Sequence, residues 1–371
     1  MNPATRDQLT FNGVLAWRNE GFTGRGVKVW VAEDMLSDHG NNATGVLRDV
    51  APGVTVIRGS VNRMSPRPNE LSSARVNGID FTDFVQQEHP DIISASVMGT
   101  QNLMWTEKVD LMQRAVGFSM FNAAGNDGND GSGDTIRTKF PRCLATVIGA
   151  LQWSHGNPRR ANFSAVGEHL DFMQTTLWWN GTSAATPVMS GMAAMIMQRY
   201  GRMSPEELYR YLLMIAVERP SDIIPGHDIF YGHGQPILPA VRRKYITMTT
   251  NSNEYFVDGK KHVMDTIPVN RNDRVFVPIR FVSEALGADE PVWRHNPDGT
   301  MRVEIHRNGV TIVVNTLSTI MTINGRTVFL DFAPFVDENG RTLVPVRAIS
   351  EAFGARVDWI QREQKVMILE S

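Results

Sequence analysis

One cysteine, Cys143, stands in the whole chain, so no intrachain disulfide can form. It lies in FPRCLATVIGA, which reads as a buried strand, and a core thiol is the better reading there than a nucleophile. An excess of charge of one sign is also missing. Lys and Arg number 37 against 39 Asp and Glu, a net charge of −2, which points away from nucleic acid or an anionic membrane as partner. No apolar run reaches transmembrane length, and the longest candidate, PVMSGMAAMIM, is too short to span a bilayer. The N-terminus, MNPATRDQLTFNG, lacks the basic-then-apolar order of a signal peptide. The expectation is a chain that is cytoplasmic as encoded, or that leaves by another route or after loss of a trimmed signal. What is present, 371 residues with 42% hydrophobic and 20% charged, suits a globular protein of two or three domains.

Up to about Arg243, apolar strands alternate with helical segments. GVKVWVA (26–32), VTVIRGSV (54–61), DIISASVMG (91–99), GFSMFNAAGN (117–126) and LATVIGALQ (144–152) read as buried strands. HGNNATGVLRDVAPG (39–53) reads as a helix followed by a turn. Short apolar strands separated by helices predict an α/β fold with a parallel sheet, whose ligands bind at the C-terminal strand ends.

One serine, Ser183, sits among small residues in WNGTSAATPVMSG (179–191). The bland reading is a helix start, with Thr182 or Ser183 as N-cap and Pro187 in the first turn. The chemical reading is a nucleophile at a helix N-terminus, where the dipole and backbone N–H groups favour a developing oxyanion. His39 follows the first strand and opens a helix, at a strand end where chemistry belongs. Asn126 stands at another such end; its amide could donate to an oxyanion, or it could be a turn residue.

Taken together these segments resemble the subtilisin-like serine proteases (subtilases), over roughly residues 15–243. GVKVWVAED resembles the strand bearing the family's acid, and HGNNATG its histidine motif, with His39, Gly40 and Gly45 matching. DVAPG (49–53), ISASVMG, AAGNDG, ANFSAVG (161–167), NGTSAATP and YGHG (231–234) match further family stretches in family order. The resemblance implies a subtilisin-like parallel sheet flanked by helices and a serine endopeptidase acting on protein or peptide substrates. It implies Ser183 as nucleophile, His39 as base and Asn126 as oxyanion donor. Substrate-binding positions would be Ser96, Val97 and Met98, which pair with the peptide as an added strand, together with Ala124 and Gly125.

The acid departs from the family's pattern. Glu33 occupies the aspartate position, and Asp34 follows it. Glu33 keeps the face of Val27, Val29 and Val31 by strand alternation. Asp34 has the familiar length but requires a one-residue bulge. Asp38 reads better as helix N-cap. The loop between Glu33 and His39 is short, and no substitute for the family's calcium loop is visible, so no calcium there, no other metal and no cofactor are expected. Asn41 and Asn42 replace the usual Thr-His. Met98 stands where the family has a glycine beside the S1 pocket, so a narrowed pocket is expected, and Asp127 either favours a basic P1 residue or is a solvated carboxylate. With nothing like a prodomain before residue 15, folding without one is expected.

After Tyr245 turn signals dominate: VDGK (257–260), PDGT (297–300), INGR (323–326) and DENG (337–340). RVFVPIRFVSEALGA (274–288) recurs as RTLVPVRAISEAFGA (341–355), 67 residues on. Each unit reads as a hairpin, then V-P-[IV]-R, then a short helix closed by Gly287 or Gly354, then a strand carrying Trp293 or Trp359. The expected organisation is a protease domain over 1–245 and a smaller β-rich α+β domain, built from the two repeats, over 246–371. Arg280 and Arg347 recur at one position, where a structural salt bridge is the commoner role. These repeats resemble the stalk domain of some copper amine oxidases, which is appended to many bacterial, often cell-surface, proteins. That implies a bacterial or phage gene and a targeting or binding module for a cell-surface or protein partner. Three functional readings follow: an active endopeptidase with this module, a pseudoprotease that binds peptides or partners, and a self-cleaving device that releases the repeat domain.

Overall fold

A computed structural model describes residues 1–33, 38–60, 75–76, 79–96, 103–136, 144–154, 156–218 and 226–371. Cys143, Asp34, Val97 and Met98 lie outside the described residues. The chain divides into two compact units, Met1–Val241 and Arg242–Ser371. The division falls at Val241 rather than after Tyr245, because Tyr245 begins a strand of the second unit.

In the first unit a seven-stranded sheet is built from β1 (Lys28–Glu33), β2 (Thr55–Ser60), β3 (Ile92–Ala95), β4 (Ser119–Ala123), β5 (Thr146–Ser154), β6 (Asn157–Arg160) and β7 (Phe172–Thr175). The order is β2-β1-β3-β4-β5-β6, with β7 also on β5. All these pairings are parallel except β5 with β6. Both faces are covered, which is why the strands read as continuous apolar runs rather than alternating ones. Trp30, Ala32, Ile93 and Met120 pack with Phe81, Phe84, Val85, Val109 and Met112 of helices Phe81–Glu88 and Leu103–Val116. On β1 this leaves Val29, Val31 and Glu33 on the opposite face.

Two helices position the site. Helix α1 (Asp38–Val50) follows β1 after four intervening residues, and helix α2 (Thr182–Tyr200) is buried along almost its whole length. They cross closely at Gly191, where an added Cβ would lie 2.7 Å from Val50 Cγ1. Asp38 is the first residue of α1 rather than its N-cap. The N-cap of α2 is Gly181, with φ 102°, so neither Thr182 nor Ser183 caps it. Pro187 is the sixth residue of α2, beyond the first turn, where its missing N–H leaves the Ser183 carbonyl without its helical donor.

At the N-terminal edge of β7, away from the strand ends that carry the site, Asp171 accepts from Val147 N at 2.7 Å and from Tyr209 OH at 2.9 Å. His227 and His233 lie nearby and meet edge-to-face, with ring centroids 4.8 Å apart. Burial of the carboxylate pushes Asp171 up to about 6, against the lowering effect of those hydrogen bonds and of His227 and His169. The folded protein therefore holds this proton more tightly than the unfolded chain. The Asp171 contribution is fully present below the ordinary carboxyl range, near 4, and is lost as pH rises through about 6. Asp171→Asn removes the titration; its amide oxygen accepts from Val147 N, and its NH2 donates to the Tyr209 hydroxyl oxygen in place of the bond accepted from it. Urea unfolding should show the variant gaining on the wild type between pH 4 and 7.5, by on the order of 2 kcal/mol. A pH-independent difference would remove Asp171 as the source.

The second unit is built from interlaced repeats. Its strands of four or more residues are β8 (Tyr245–Thr249), β9 (Glu254–Val257), β10 (Lys260–Val263), β11 (Arg274–Pro278), β12 (Val292–His295), β13 (Met301–Arg307), β14 (Val310–Asn315), β15 (Ile320–Ile323), β16 (Arg326–Phe329), β17 (Thr342–Pro345), β18 (Arg356–Ile360) and β19 (Lys365–Leu369). Asp258-Gly259 and Asn324-Gly325 are in the left-handed region at the tips of the β9–β10 and β15–β16 hairpins, as two-residue turns require. One five-stranded sheet runs β10-β9-β8-β19-β18 and the other β12-β13-β14-β15-β16. Each sheet therefore takes three strands from one repeat and two from the other. Strands β11 and β17 pair antiparallel with Val277 opposite Val344. The two short helices, α3 (Ile279–Ala285) and α4 (Val346–Ala352), contribute Ile279, Val282, Val346 and Ile349 to one shared core.

Candidate active site

Three strand ends and the start of α2 converge. Glu33 closes β1 and is fully buried, on the face shared with Val29 and Val31. Its Oε2 lies 2.8 Å from His39 Nδ1, and its Oε1 accepts the Ser96 N–H at 2.8 Å. One carboxylate thus holds both the imidazole and the backbone that follows β3. A carboxylate against Nδ1 favours the tautomer protonated there, leaving Nε2 as an acceptor. The His39 side chain is 40% exposed. Trp179 meets its ring edge-on, with centroids 4.7 Å apart.

Ser183 is the second residue of α2 and only 7% exposed. Its hydroxyl donates to the Ser96 carbonyl at 3.0 Å, which is the hydroxyl's hydrogen bond among the described residues. Asn126 lies just past β4, with its side-chain oxygen accepting from Thr182 N at 2.9 Å and from Thr182 Oγ1 at 3.1 Å. Those two bonds occupy the oxygen and turn the amide nitrogen toward Gly181. A Cβ at Gly181 would come within 3.3 Å of that nitrogen, and φ there is 102°, so both space and backbone select glycine. Thr182 Oγ1 in turn accepts from Gly125 N at 3.1 Å.

Of the other candidates, Ser96 is buried beside Glu33 and Ser183. Ala124 is fully buried and its N–H is spent on Ile148 O; Gly125 O accepts from Ala165 N. Those two backbone groups are engaged within the protein. Asp34, Val97 and Met98 lie outside the described residues. Asp127 is exposed. Among the described residues no group of three His, Cys, Asp or Glu side chains is placed to hold a metal ion, and no helix is long and apolar enough to cross a membrane.

Three contributors escape the sequence reading. Thr182 orients Asn126, and its place beside Ser183 was the available signal. Trp179 flanks His39, signalled only by the WW pair before the serine motif. Leu177, a non-glycine residue with φ 54°, is held by Gln8 of the N-terminal helix Pro3–Phe11: Gln8 Nε2 donates to Leu177 O at 3.3 Å and Leu177 N donates back at 3.2 Å. No local pattern signals a contact across 169 residues.

Residues 36–234 match the model of the subtilase family, and residues 237–293 and 293–368 each match that of the copper amine oxidase N-terminal domain. The chain is similar to subtilisin DY of Bacillus licheniformis, 29% identical over 206 residues, covering 52% of this chain and 70% of the relative. It is also similar to subtilisin NAT of Bacillus subtilis subsp. natto, 30% identical over 208 residues, where it spans only 50% of the relative's length. Among solved structures it resembles MycP1 from Mycobacterium smegmatis, at 16% identity and a TM-score of 0.45, over 60% of this chain and 81% of that one. The family match covers more than half of the sequence and spans His39, Asn126 and Ser183, so this chain belongs to the subtilase family of serine proteases.

Proposed function

We propose that the protein is a serine endopeptidase in which Ser183 is the nucleophile, His39 the general base and then acid, Glu33 the orienting carboxylate and Asn126 an oxyanion donor. The observation that carries this reading is the Glu33 carboxylate at 2.8 Å from His39 Nδ1, buried and anchored on Ser96 N. Substrate binding displaces the Ser183 hydroxyl from the Ser96 carbonyl, and the hydroxyl donates to His39 Nε2 instead. His39 takes that proton as Oγ bonds to the scissile carbonyl carbon, and Glu33 stabilises the imidazolium. The carbonyl oxygen becomes an oxyanion between the Asn126 amide and the Ser183 N–H. His39 returns the proton to the leaving amine, and water then repeats the sequence to release the acyl group. The repeat unit serves as the targeting or binding module.

A second reading, a peptide-binding scaffold that does not cut, is favoured by one observation: the Ser183 hydroxyl is bonded to Ser96 O. A fluorophosphonate probe separates the two. Labelling of the wild type that is lost in Ser183→Ala and slowed at least 10²-fold in His39→Ala supports the endopeptidase. A folded wild type that does not label supports the scaffold. Release of the repeat domain from wild type but not from Ser183→Ala, with no cleavage of added peptides, would point to self-processing instead.

A further inference from the structure

The repeat in the second unit offers an internal comparison: residues that recur for structural reasons should have the same structural partners in both copies. Most do. Val277 and Val344 pair across the centre, Ala288 N and Ala355 N donate to Ser283 O and Ser350 O, and Gly287 and Gly354 take positive φ at the helix ends. Arg274 pairs with Asp331 at 2.7 Å, and its counterpart Arg341 pairs with Asp265, the residue equivalent to Asp331. These two ion pairs cross between the repeats and are related by the same pseudo-two-fold arrangement as the sheets.

Arg280 and Arg347 do not follow that rule. They are 47% and 56% exposed, and their ion pairs are long and not equivalent: Glu290 at 3.8 Å for one, Glu351 at 3.7 Å for the other. Both sit in the first turn of a short helix, the end where a cation is unfavourable. A salt-bridge role therefore does not account for their recurrence. Each instead lines a cleft at the same place in its repeat. The first cleft, of 260 Å³, is bounded by Arg280, Trp293, Pro278, Asp265 and Arg341. The second, of 390 Å³, is bounded by Arg347, Trp359, Pro345, Asp331 and Arg274, which are the counterparts one for one. The larger volume sits at the lower end of the small-ligand range, which begins at about 300 Å³, and the smaller falls just below it.

We propose that these are two glycan-binding clefts. Trp293 and Trp359 are half-buried against the core and each borders its cleft; the Arg280 guanidinium lies 5.4 Å from the Trp293 ring centroid, and Trp359 Nε1 donates to Gln361 Oε1 at 2.7 Å. A fixed flat apolar ring suits the C–H face of a pyranose. Around it stand planar hydrogen-bonding groups: a guanidinium, a carboxylate already held by a second arginine and, in the larger cleft, Asn270, Asp358 and Gln361. Carboxylate and guanidinium forks match pairs of neighbouring hydroxyls. A phosphate polymer is disfavoured, because the unit carries 17 Lys and Arg against 16 Asp and Glu and the larger cleft itself holds Asp273, Asp331 and Asp358. Two equivalent clefts on one rigid core would bind a polysaccharide bivalently, with far higher avidity than either alone.

Affinity gel electrophoresis of the full chain in barley β-glucan, xylan and glycol chitin tests this, with heparin as an anionic control and Arg280→Gln, Arg347→Gln and the double variant as probes. Both arginines are half-exposed, so the variants should keep the wild-type circular dichroism. The expected result is retardation by at least one neutral glycan, weakened about tenfold or more in each single variant and abolished in the double. Calorimetry with a short oligosaccharide of the same glycan should give two sites per chain, falling to one in each single variant. No retardation by any of the three glycans, retardation by heparin alone, or wild-type retardation of the folded double variant would overturn the proposal.

Discussion

Ser183→Ala should lower kcat/KM for peptide hydrolysis by about 10⁶ while leaving the protein folded. The two parts of that expectation have separate physical grounds. Activity falls because Ser183 Oγ is the hydroxyl in the nucleophile's proposed place at the start of α2, and that of its neighbour Thr182 is already bonded to Asn126 and Gly125. Stability holds because the substitution removes a single hydroxyl whose hydrogen bond is to Ser96 O. A net loss of about 1 kcal/mol covers one such bond. Urea unfolding beside steady-state kinetics checks both. Hydrolysis undiminished in Ser183→Ala would place the reaction elsewhere and end the proposed assignment of Ser183.

Glu33→Gln should cost about 10⁴ in kcat, the scale seen when a triad carboxylate becomes an amide. The reason is specific to the two hydrogen bonds that Glu33 makes. Ser96 N–H needs an acceptor, so the amide oxygen must face it, and the amide nitrogen then faces His39 Nδ1. A donor there forces the imidazole proton to Nε2, where it blocks acceptance of the Ser183 proton. Glu33→Asp tests reach rather than charge. One methylene shorter, an aspartate on β1 cannot keep both 2.8 Å contacts, so rates should fall by about tenfold or more even though the family's usual residue is restored. Asp34→Ala should stay within a few-fold of wild type. If Asp34→Ala were the crippling change and Glu33→Gln mild, the acid would be reassigned to Asp34.

Much of the site was legible because the relevant signals are local. Ser183 among small residues, His39 after a strand and Asn126 after a glycine each follow from strand-end chemistry in a parallel sheet, and the observed sheet has the strands where the apolar runs stood. The bland reading of α2's start, a cap at Thr182 or Ser183, fails for a physical reason. Thr182 looks like an N-cap because its hydroxyl could accept from its own helix. In the folded chain the hydroxyl instead bridges Gly125 N and Asn126 Oδ1, partners 57 and 56 residues away, while Gly181 takes the cap position. Asp38 likewise sits inside its helix rather than before it. A capping pattern specifies a propensity, and tertiary partners decide whether the side chain uses it.

The sequence by itself determined the elements, their types and the presence of two repeats, because hydrophobic period, turn residues and motif spacing are properties of neighbouring residues. Only the tertiary structure decided how those pieces close. Each repeat presents three strands to the other's two, and the ion pairs Arg274–Asp331 and Arg341–Asp265 cross between copies. Strands related by the repeat carry similar apolar patterns, so pairing within a repeat and pairing between repeats are indistinguishable in sequence; the shared core formed by Val277, Val344, Val303 and Val366 selects the second. The same holds at the site. Strand alternation put Glu33 on the right face, but its simultaneous reach to His39 and Ser96 depends on the spacing of β1, β3 and α1, which packing sets.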